Sequence, residues 1–149
     1  MINIKEILLR LKKEGFRSTT IRKSILDLFY KFKKPLSSQD IQKYLKQKNI
    51  KANKTTVYRE LDFLKNQNII EEFQLDDKIK RYEILSSHHH HTVCIKCREI
   101  KCIEFSKDLE SQEKEIEKNN KFKIINHSLE FYGLCHACWR AGHKCQAVK

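Results

Sequence analysis

The sequence predicts an α+β protein, and three observations lead to that prediction. Helical apolar patterns fill residues 1–65, and two strand-like runs follow them. Four consecutive histidines then lead into a Cys-x-x-Cys pair, and a second Cys-x-x-Cys pair lies near the C-terminus. Together these features predict an N-terminal winged helix followed by a small α/β dimerisation domain with a structural zinc site. We place the first domain at residues 1–85 and the second at residues 86–149.

Apolar residues recur at helical spacing in four segments of the first domain. The inward positions predicted for the four helices are Ile4, Ile7, Leu8 and Leu11; Ile21, Ile25, Leu28, Phe29 and Phe32; Ile41, Tyr44 and Leu45; and Val57, Leu61 and Leu64. We expect the first helix to end near Gly15 and the second to stop before Pro35. Ser37, followed three residues later by Asp40, predicts a capped start for the third helix.

Two apolar-rich runs, residues 69–75 and 79–85, are joined by a short polar turn and predict a β-hairpin. Helices followed by a hairpin form the element order of a winged helix, in which the helix before the hairpin enters the major groove of DNA. The outward face of that helix carries the polar or aromatic residues Asn53, Lys54, Thr55, Thr56, Tyr58, Arg59 and Asp62. Tyr58 can pack on thymine methyl groups, while Thr55 and Arg59 can hold phosphates. The alternative is a solvated helix face on which Tyr58 packs against a neighbouring residue.

The chain is strongly basic, with 31 lysines and arginines against 19 acidic residues and a formal charge of +12. Such a charge attracts polyanions, but the charge alone does not decide between DNA, RNA and anionic lipid as the binding partner. The winged-helix pattern favours double-stranded DNA among these partners. No apolar run approaches the roughly 18 to 20 residues that span a bilayer, and the start lacks the pattern of a signal peptide. We therefore expect no membrane partner and a cytoplasmic location, where six cysteines favour metal binding over disulfides.

The two Cys-x-x-Cys pairs predict one zinc site. A tight turn between paired cysteines lets both sulfurs reach one tetrahedral ion, and two pairs complete a shell that is closed to substrate. The predicted structural zinc ligands are Cys94, Cys97, Cys135 and Cys138. Cys102 and Cys145 have no place in this scheme, and we expect each to be a packing residue or a tail thiol.

The histidine run, residues 88–91, predicts two further metal sites. Alternate side chains of a strand point to opposite faces, so His89 and His91 share one face and His88 and His90 share the other. Imidazole nitrogens suit zinc, iron, nickel or copper.

The second domain is expected to form a small sheet with one helix. Residues 91–95 and 100–105 predict strands on either side of the first Cys-x-x-Cys pair, and a helix should run from about Leu109 to Asn120. Residues 121–132 alternate in polarity and predict one long exposed strand. Such a strand favours sheet extension across a two-fold axis, and hence a homodimer.

Several motifs resemble the ferric uptake regulator (Fur) family, in the same order and from about Gly15 to Cys138. They are Lys54-Thr55-Thr56-Val57-Tyr58-Arg59-Glu60-Leu61, Arg81-Tyr82-Glu83, the run from His88 to Cys97, and the run from Asn126 to Cys135. The resemblance implies a dimeric, metal-responsive DNA-binding repressor with a winged helix and a C-terminal dimerisation domain. It also implies that Tyr58 and Arg59 contact the operator and that Arg17 reaches an AT-rich minor groove.

The resemblance further implies two ligand sets. The regulatory site would combine Glu83, His89, His91 and Glu104, with Fe²⁺, Zn²⁺ or Mn²⁺ as its ion. The second histidine site would combine His88, His90, Glu110 and His127. Metal at Glu83 and the histidines would restrain a hinge at Ser86-Ser87 and set two recognition helices on a palindrome.

Three departures from the family pattern leave the metal open. No histidine occurs before His88, although iron, manganese and peroxide sensors of the family usually have one just before the third helix, where this chain has Lys34-Pro35-Leu36. Glu83 stands where zinc-sensing members often have a cysteine, and His90 replaces the more usual aspartate.

Three alternatives remain beside the metal-responsive repressor. The first is a peroxide sensor of the same family, in which bound iron oxidises a neighbouring histidine. The second is a metallohydrolase that uses Glu104 or Glu110 as its base, although no substrate pocket is indicated. The third is a DNA-binding protein that has only structural zinc and binds constitutively.

Overall fold

The computed structural model describes residues 3–75, 77–85, 89–104, 109–125 and 127–140. The chain forms two compact units, residues 1–87 and residues 88–149, here called the N-terminal and the C-terminal unit. None of the helices among the described residues is both long and apolar enough to cross a membrane.

The N-terminal unit contains the four predicted helices. They are α1 (Ile4–Lys13), α2 (Thr20–Phe32), α3 (Ser38–Gln47) and α4 (Lys54–Asn66). Each begins after a polar residue whose side chain accepts a backbone N–H of the first turn, namely Asn3, Thr19, Ser37 and Asn53. At the predicted capped start of α3, Ser37 and Asp40 form a capping box, in which each side chain accepts from the other residue's backbone N–H. Gly15 lies just beyond α1 with φ at 88°, a conformation that glycine adopts without steric cost.

The predicted hairpin is also present. Strands β2 (Ile70–Gln74) and β3 (Lys80–Ile84) pair antiparallel. A two-residue strand that the sequence pattern did not reveal, β1 (Leu36–Ser37), pairs with the other edge of β3, so the strand order is β1-β3-β2. Four helices with this sheet form a winged helix.

The core of the N-terminal unit joins all four helices to the sheet. Its buried side chains are Ile7, Leu11, Ile25, Leu26, Leu28, Phe29, Leu36, Ile41, Leu45, Val57, Leu61, Leu64, Ile69, Ile70 and Tyr82. One prediction about α2 was wrong. Phe32, expected to point inward, is 43% exposed because it is the last residue of the helix. Arg22, about which the sequence pattern predicted nothing, is buried.

The C-terminal unit contains strands β4 (His90–Cys94), β5 (Ile100–Ile103) and β6 (Glu130–Gly133) and helices α5 (Glu110–Asn120) and α6 (His136–Arg140). The strand order is β5-β4-β6, with β4 antiparallel to β5 and parallel to β6.

The prediction of one long strand over residues 121–132 was wrong. Among the described residues of this stretch, only residues 130–133 form a strand, because they pair with β4, and residues 122–125 lie outside any strand. Phe122 is 64% exposed and Ile125 is 95% exposed. The alternating pattern therefore produced a strand only where a partner strand is present.

Candidate metal centres and nucleic-acid interface

The four paired cysteines converge at one end of the C-terminal sheet. Cys94 is the last residue of β4 and Cys97 lies in the turn that follows. Cys135 immediately precedes α6, and Cys138 lies within that helix. Parallel pairing of β4 with β6 brings the two Cys-x-x-Cys pairs together. The four Sγ atoms all lie within 4.8 Å of one another. The Sγ atoms of Cys97 and Cys135 are 3.7 Å apart.

Backbone amides favour thiolates in this cluster. Burial raises the pKa of Cys94, but backbone N–H groups of Cys135, Cys97 and Lys96 outweigh it and lower that pKa to about 6. The amide of Cys135 donates to Cys94 Sγ at 3.3 Å. Zinc binds thiolates, and four converging sulfurs match its tetrahedral shell. The donor set therefore fits a structural zinc ion and leaves no position for a substrate.

A second group of donors lies at the start of the C-terminal unit. His89, His91 and Cys102 each offer a ligand atom, and these atoms lie within 4.8 Å of one another. The rings of His89 and His91 are 5.0 Å apart between centroids and nearly perpendicular. His91 lies directly opposite Cys102 in the β4–β5 pairing. This arrangement can hold a metal ion through two nitrogens and one sulfur.

The predicted regulatory set has two further residues, Glu83 and Glu104. Glu104 is exposed, one residue beyond the end of β5, and is not part of this group of donors. Glu83 belongs to the N-terminal unit, on β3. The donor that sequence reasoning missed is Cys102. Knowledge of the β4–β5 register would have found it, because residues directly opposite on paired strands project from the same face.

The opposite face of β4 carries the second histidine pair. The rings of His90 and His127 stack with centroids 5.3 Å apart. Nδ1 of His127 is hydrogen-bonded to a carboxylate oxygen of Glu113. Glu110, the carboxylate named in the predicted set, is exposed and pairs instead with Lys114. His88, the fourth predicted member, lies outside the described residues.

The predicted DNA-contacting residues lie at the start of α4 and before α2. Thr55 and Arg59 are exposed on α4, whereas the hydroxyl of Thr56 donates to the capping oxygen of Asn53 at 2.8 Å. The hydroxyl of Tyr58 is 3.0 Å from Ser38 Oγ, and its ring is half-buried. Arg17 is exposed in the segment between α1 and α2.

A winged helix with an exposed polar recognition helix, a four-cysteine cluster and a histidine cluster define the class of a metal-binding DNA-binding regulator. The sequence model of the ferric uptake regulator family matches residues 13–132. The chain belongs to the ferric uptake regulator family. Its members are metal-responsive transcription regulators that bind DNA as dimers, and they are not enzymes.

Individual relatives match over most of the chain. The ferric uptake regulation protein of Neisseria gonorrhoeae is 31% identical over 138 residues, which are 91% of this chain and 94% of the relative. The Helicobacter pylori regulator, whose structure is described as having three functional metal binding sites, superposes with a TM-score of 0.78 at 27% identity and covers 93% of this chain and 95% of its own. The structure of the Francisella tularensis regulator with iron superposes with a TM-score of 0.73 at 34% identity, and the match covers 84% of this chain and 96% of that one.

Proposed function

We propose that this protein is a cytoplasmic repressor that binds an AT-rich palindromic operator as a homodimer when its regulatory site holds a metal ion. Residues 1–85 would form the DNA-binding domain, and residues 86–149 would form the metal-binding and dimerisation domain. Cys94, Cys97, Cys135 and Cys138 would hold structural zinc. The observation that carries the proposal is the pair His89 and His91, whose ring centroids lie 5.0 Å apart shortly after the winged helix in the chain.

Glu83 is the residue through which we propose that metal and DNA binding are coupled. It lies near the end of the wing strand β3 and precedes His89 by only six residues. Glu83 and the two histidines would bind one ion from both domains and favour the arrangement that presents the recognition helices to DNA. Because such coupling is reciprocal, operator DNA would tighten metal binding by the same factor.

The proposed DNA contacts follow from the exposed polar side chains. On α4, Thr55 and Arg59 would contact phosphates of the operator. Before α2, Arg17 would reach its AT-rich minor groove. Tyr58 would turn its ring toward thymine methyl groups while its hydroxyl keeps the contact with Ser38. The second histidine site would combine the stacked pair His90 and His127 with His88 and Glu110. In the structure, however, the carboxylate that is hydrogen-bonded to His127 belongs to Glu113.

The experiment is operator binding by the zinc-loaded protein, titrated separately with Fe²⁺, Mn²⁺ and Zn²⁺ at fixed ionic strength. At least one metal should tighten binding tenfold or more, which is about 1.4 kcal/mol of coupling. Glu83→Ala should remove that gain, whereas the control Glu6→Ala, at an exposed carboxylate on α1, should keep it. Equal affinity with and without every metal would instead identify a constitutive DNA-binding protein.

A peroxide-sensing member of the same family is the alternative. It predicts that the iron-loaded protein loses DNA binding after brief peroxide treatment and that one histidine gains an oxygen atom. Intact mass spectrometry of the treated protein distinguishes the two proposals.

A further inference from the structure

Cys102 is placed beside the two histidines by the pairing of two strands. In the antiparallel β4–β5 register, His90 lies opposite Ile103 and His91 lies opposite Cys102. Directly opposite residues project from the same face with their Cβ atoms about 5 Å apart. His89, the residue just before β4, lies two residues from His91, and the centroids of their rings are 5.0 Å apart. The ligand atoms of His89, His91 and Cys102 accordingly lie within 4.8 Å of one another.

We propose that Cys102 is a ligand of the regulatory metal and that this site selects a thiophilic ion such as Zn²⁺ over Fe²⁺ and Mn²⁺. The regulatory role of the site rests on the proposed function above, but the ligation by Cys102 does not. On binding, the Cys102 thiol releases its proton to solvent, and the resulting thiolate forms a metal–sulfur bond beside two imidazole nitrogens.

The donor chemistry decides which metal this set prefers. Thiolate is a soft ligand that stabilises zinc, and imidazole nitrogen suits zinc as well as iron. Mn²⁺ is best held by oxygen ligands, which this group of three residues does not supply. Two nitrogens and one sulfur leave one position of a tetrahedral zinc ion for a carboxylate or water.

Glu104 is the competing candidate for the same position. Cys102 and Glu104 are two residues apart, so the alternation of a strand directs both toward the same face. Glu104, however, lies beyond Ile103, where β5 ends, whereas Cys102 is held by the register inside the strand. A site completed by Glu104 would be rich in oxygen and nitrogen and would favour iron or manganese. The two residues thus predict different metals.

The first test uses cobalt as a spectroscopic probe for zinc. The full-length protein is prepared with one zinc ion per chain in the four-cysteine cluster, and a further equivalent of Co²⁺ is added. If Cys102 is a ligand, the added cobalt gives a sulfur-to-cobalt charge-transfer band in the near ultraviolet. Cys102→Ser should remove this band. Two controls, Cys145→Ser and Glu104→Gln, should retain it.

Affinity measurements give an independent readout. Loss of a residue that only hydrogen-bonds to a metal ligand weakens metal binding by about 10- to 100-fold. Loss of a ligand itself should therefore weaken zinc binding by at least about tenfold. Cys102→Ser should therefore lose zinc affinity while its manganese affinity changes little, and Glu104→Gln should not show this pattern. Zinc should also protect Cys102 of the unmodified protein from alkylation, as mapped by peptide mass spectrometry, because the side chain is otherwise exposed.

These outcomes distinguish metal ligation by Cys102 from the proposed metal-dependent binding of the operator. The inference fails if wild-type protein shows no sulfur–cobalt band, if Cys102→Ser retains the band, or if zinc leaves alkylation unchanged. If the band depends on Cys102 but metal does not alter operator binding, Cys102 is a ligand and the proposed function fails. If metal tightens operator binding equally in Cys102→Ser and wild type, with no sulfur band in either, the function stands and the inference fails.

Discussion

Arg22 connects the segment between α1 and α2 to helix α4. Its Nε donates to Glu60 on α4 at 2.5 Å, and its Nη1 donates to the carbonyl oxygen of Arg17 at 2.6 Å. Its guanidinium also lies 3.8 Å from the ring centroid of Phe63. The side chains of Arg22 and Glu60 are only 8% and 12% exposed. One buried guanidinium therefore fixes the segment that carries Arg17 against the recognition helix.

Removal of this guanidinium should destabilise the N-terminal unit strongly. Arg22→Gln leaves the Glu60 carboxylate buried without its charged partner, and breaking one half of a buried pair costs about 3 to 5 kcal/mol. We expect a loss near the lower end, measured by urea unfolding followed by circular dichroism. The control is Lys23→Gln, which changes the exposed neighbouring cation and should have little effect. Equal midpoints for the two variants would show that the pair does not stabilise the fold.

At the scale of elements, Glu72 connects the wing to the recognition helix. It lies on β2 and accepts from Lys65 on α4 at 2.9 Å and from Lys80 on β3 at 2.6 Å. The hydrogen bond from Lys80 is the largest influence on Glu72 and, with Lys65, lowers the pKa of its carboxyl despite partial burial. The charge of Glu72 therefore helps to set the hairpin against the end of α4.

Stability should depend on pH through this carboxylate. Because its pKa is lower in the folded state, Glu72 stabilises the fold above the pKa of the unfolded carboxyl, and this contribution disappears as pH falls through the folded pKa. Glu72→Gln should therefore unfold at lower urea than wild type at neutral pH, and the difference should vanish in acid. The control Asp27→Asn, at an exposed site on α2, should not show this convergence. A difference that persists in acid would point to packing and not to charge.

The elements that could be predicted from the sequence are those with local signals. Apolar periodicity and polar caps such as Ser37 predicted the four helices, because helices are stabilised by contacts between residues near one another in sequence. Strand β1 has only two residues, Leu36 and Ser37, and depends on distant β3, so no local pattern marks it.

The residues of the candidate sites likewise divide into those that local sequence patterns predict and those that depend on contacts between distant segments. The four-cysteine cluster follows from local Cys-x-x-Cys spacing, and strand alternation predicts that His89 groups with His91 and apart from His90. His127, which stacks on His90, was predicted only from the resemblance to the family. Cys102 depends on a register between two strands, which a single sequence does not encode locally. The carboxylate partner of His127 depends likewise on how α5 packs.

At the scale of the whole molecule, the two units differ in how much core they possess. Fifteen buried side chains form one cluster in the N-terminal unit. The buried hydrophobic residues described in the C-terminal unit are Val93, Cys94, Ile100 and Cys138, and two of these are cysteines of the zinc cluster. Helix α5 has no buried residue. Since so small a core stabilises little, the C-terminal unit should depend on its metal.

Removal of zinc should consequently unfold the C-terminal unit and spare the N-terminal one. Structural zinc in small domains contributes on the order of 10 kcal/mol, more than such a core can replace. Trp139, the single tryptophan of the chain, directly follows Cys138 of the four-cysteine cluster and reports on this unit. Chelation should shift its fluorescence and remove part of the helix and strand signal, while hydrogen exchange in α2 and α4 stays slow. Cys135→Ser should reproduce this state without a chelator, and Cys145→Ser should not. Uniform loss of protection in both units would mean that zinc stabilises the whole chain, whereas an unchanged fluorescence would mean that the small core is sufficient without it.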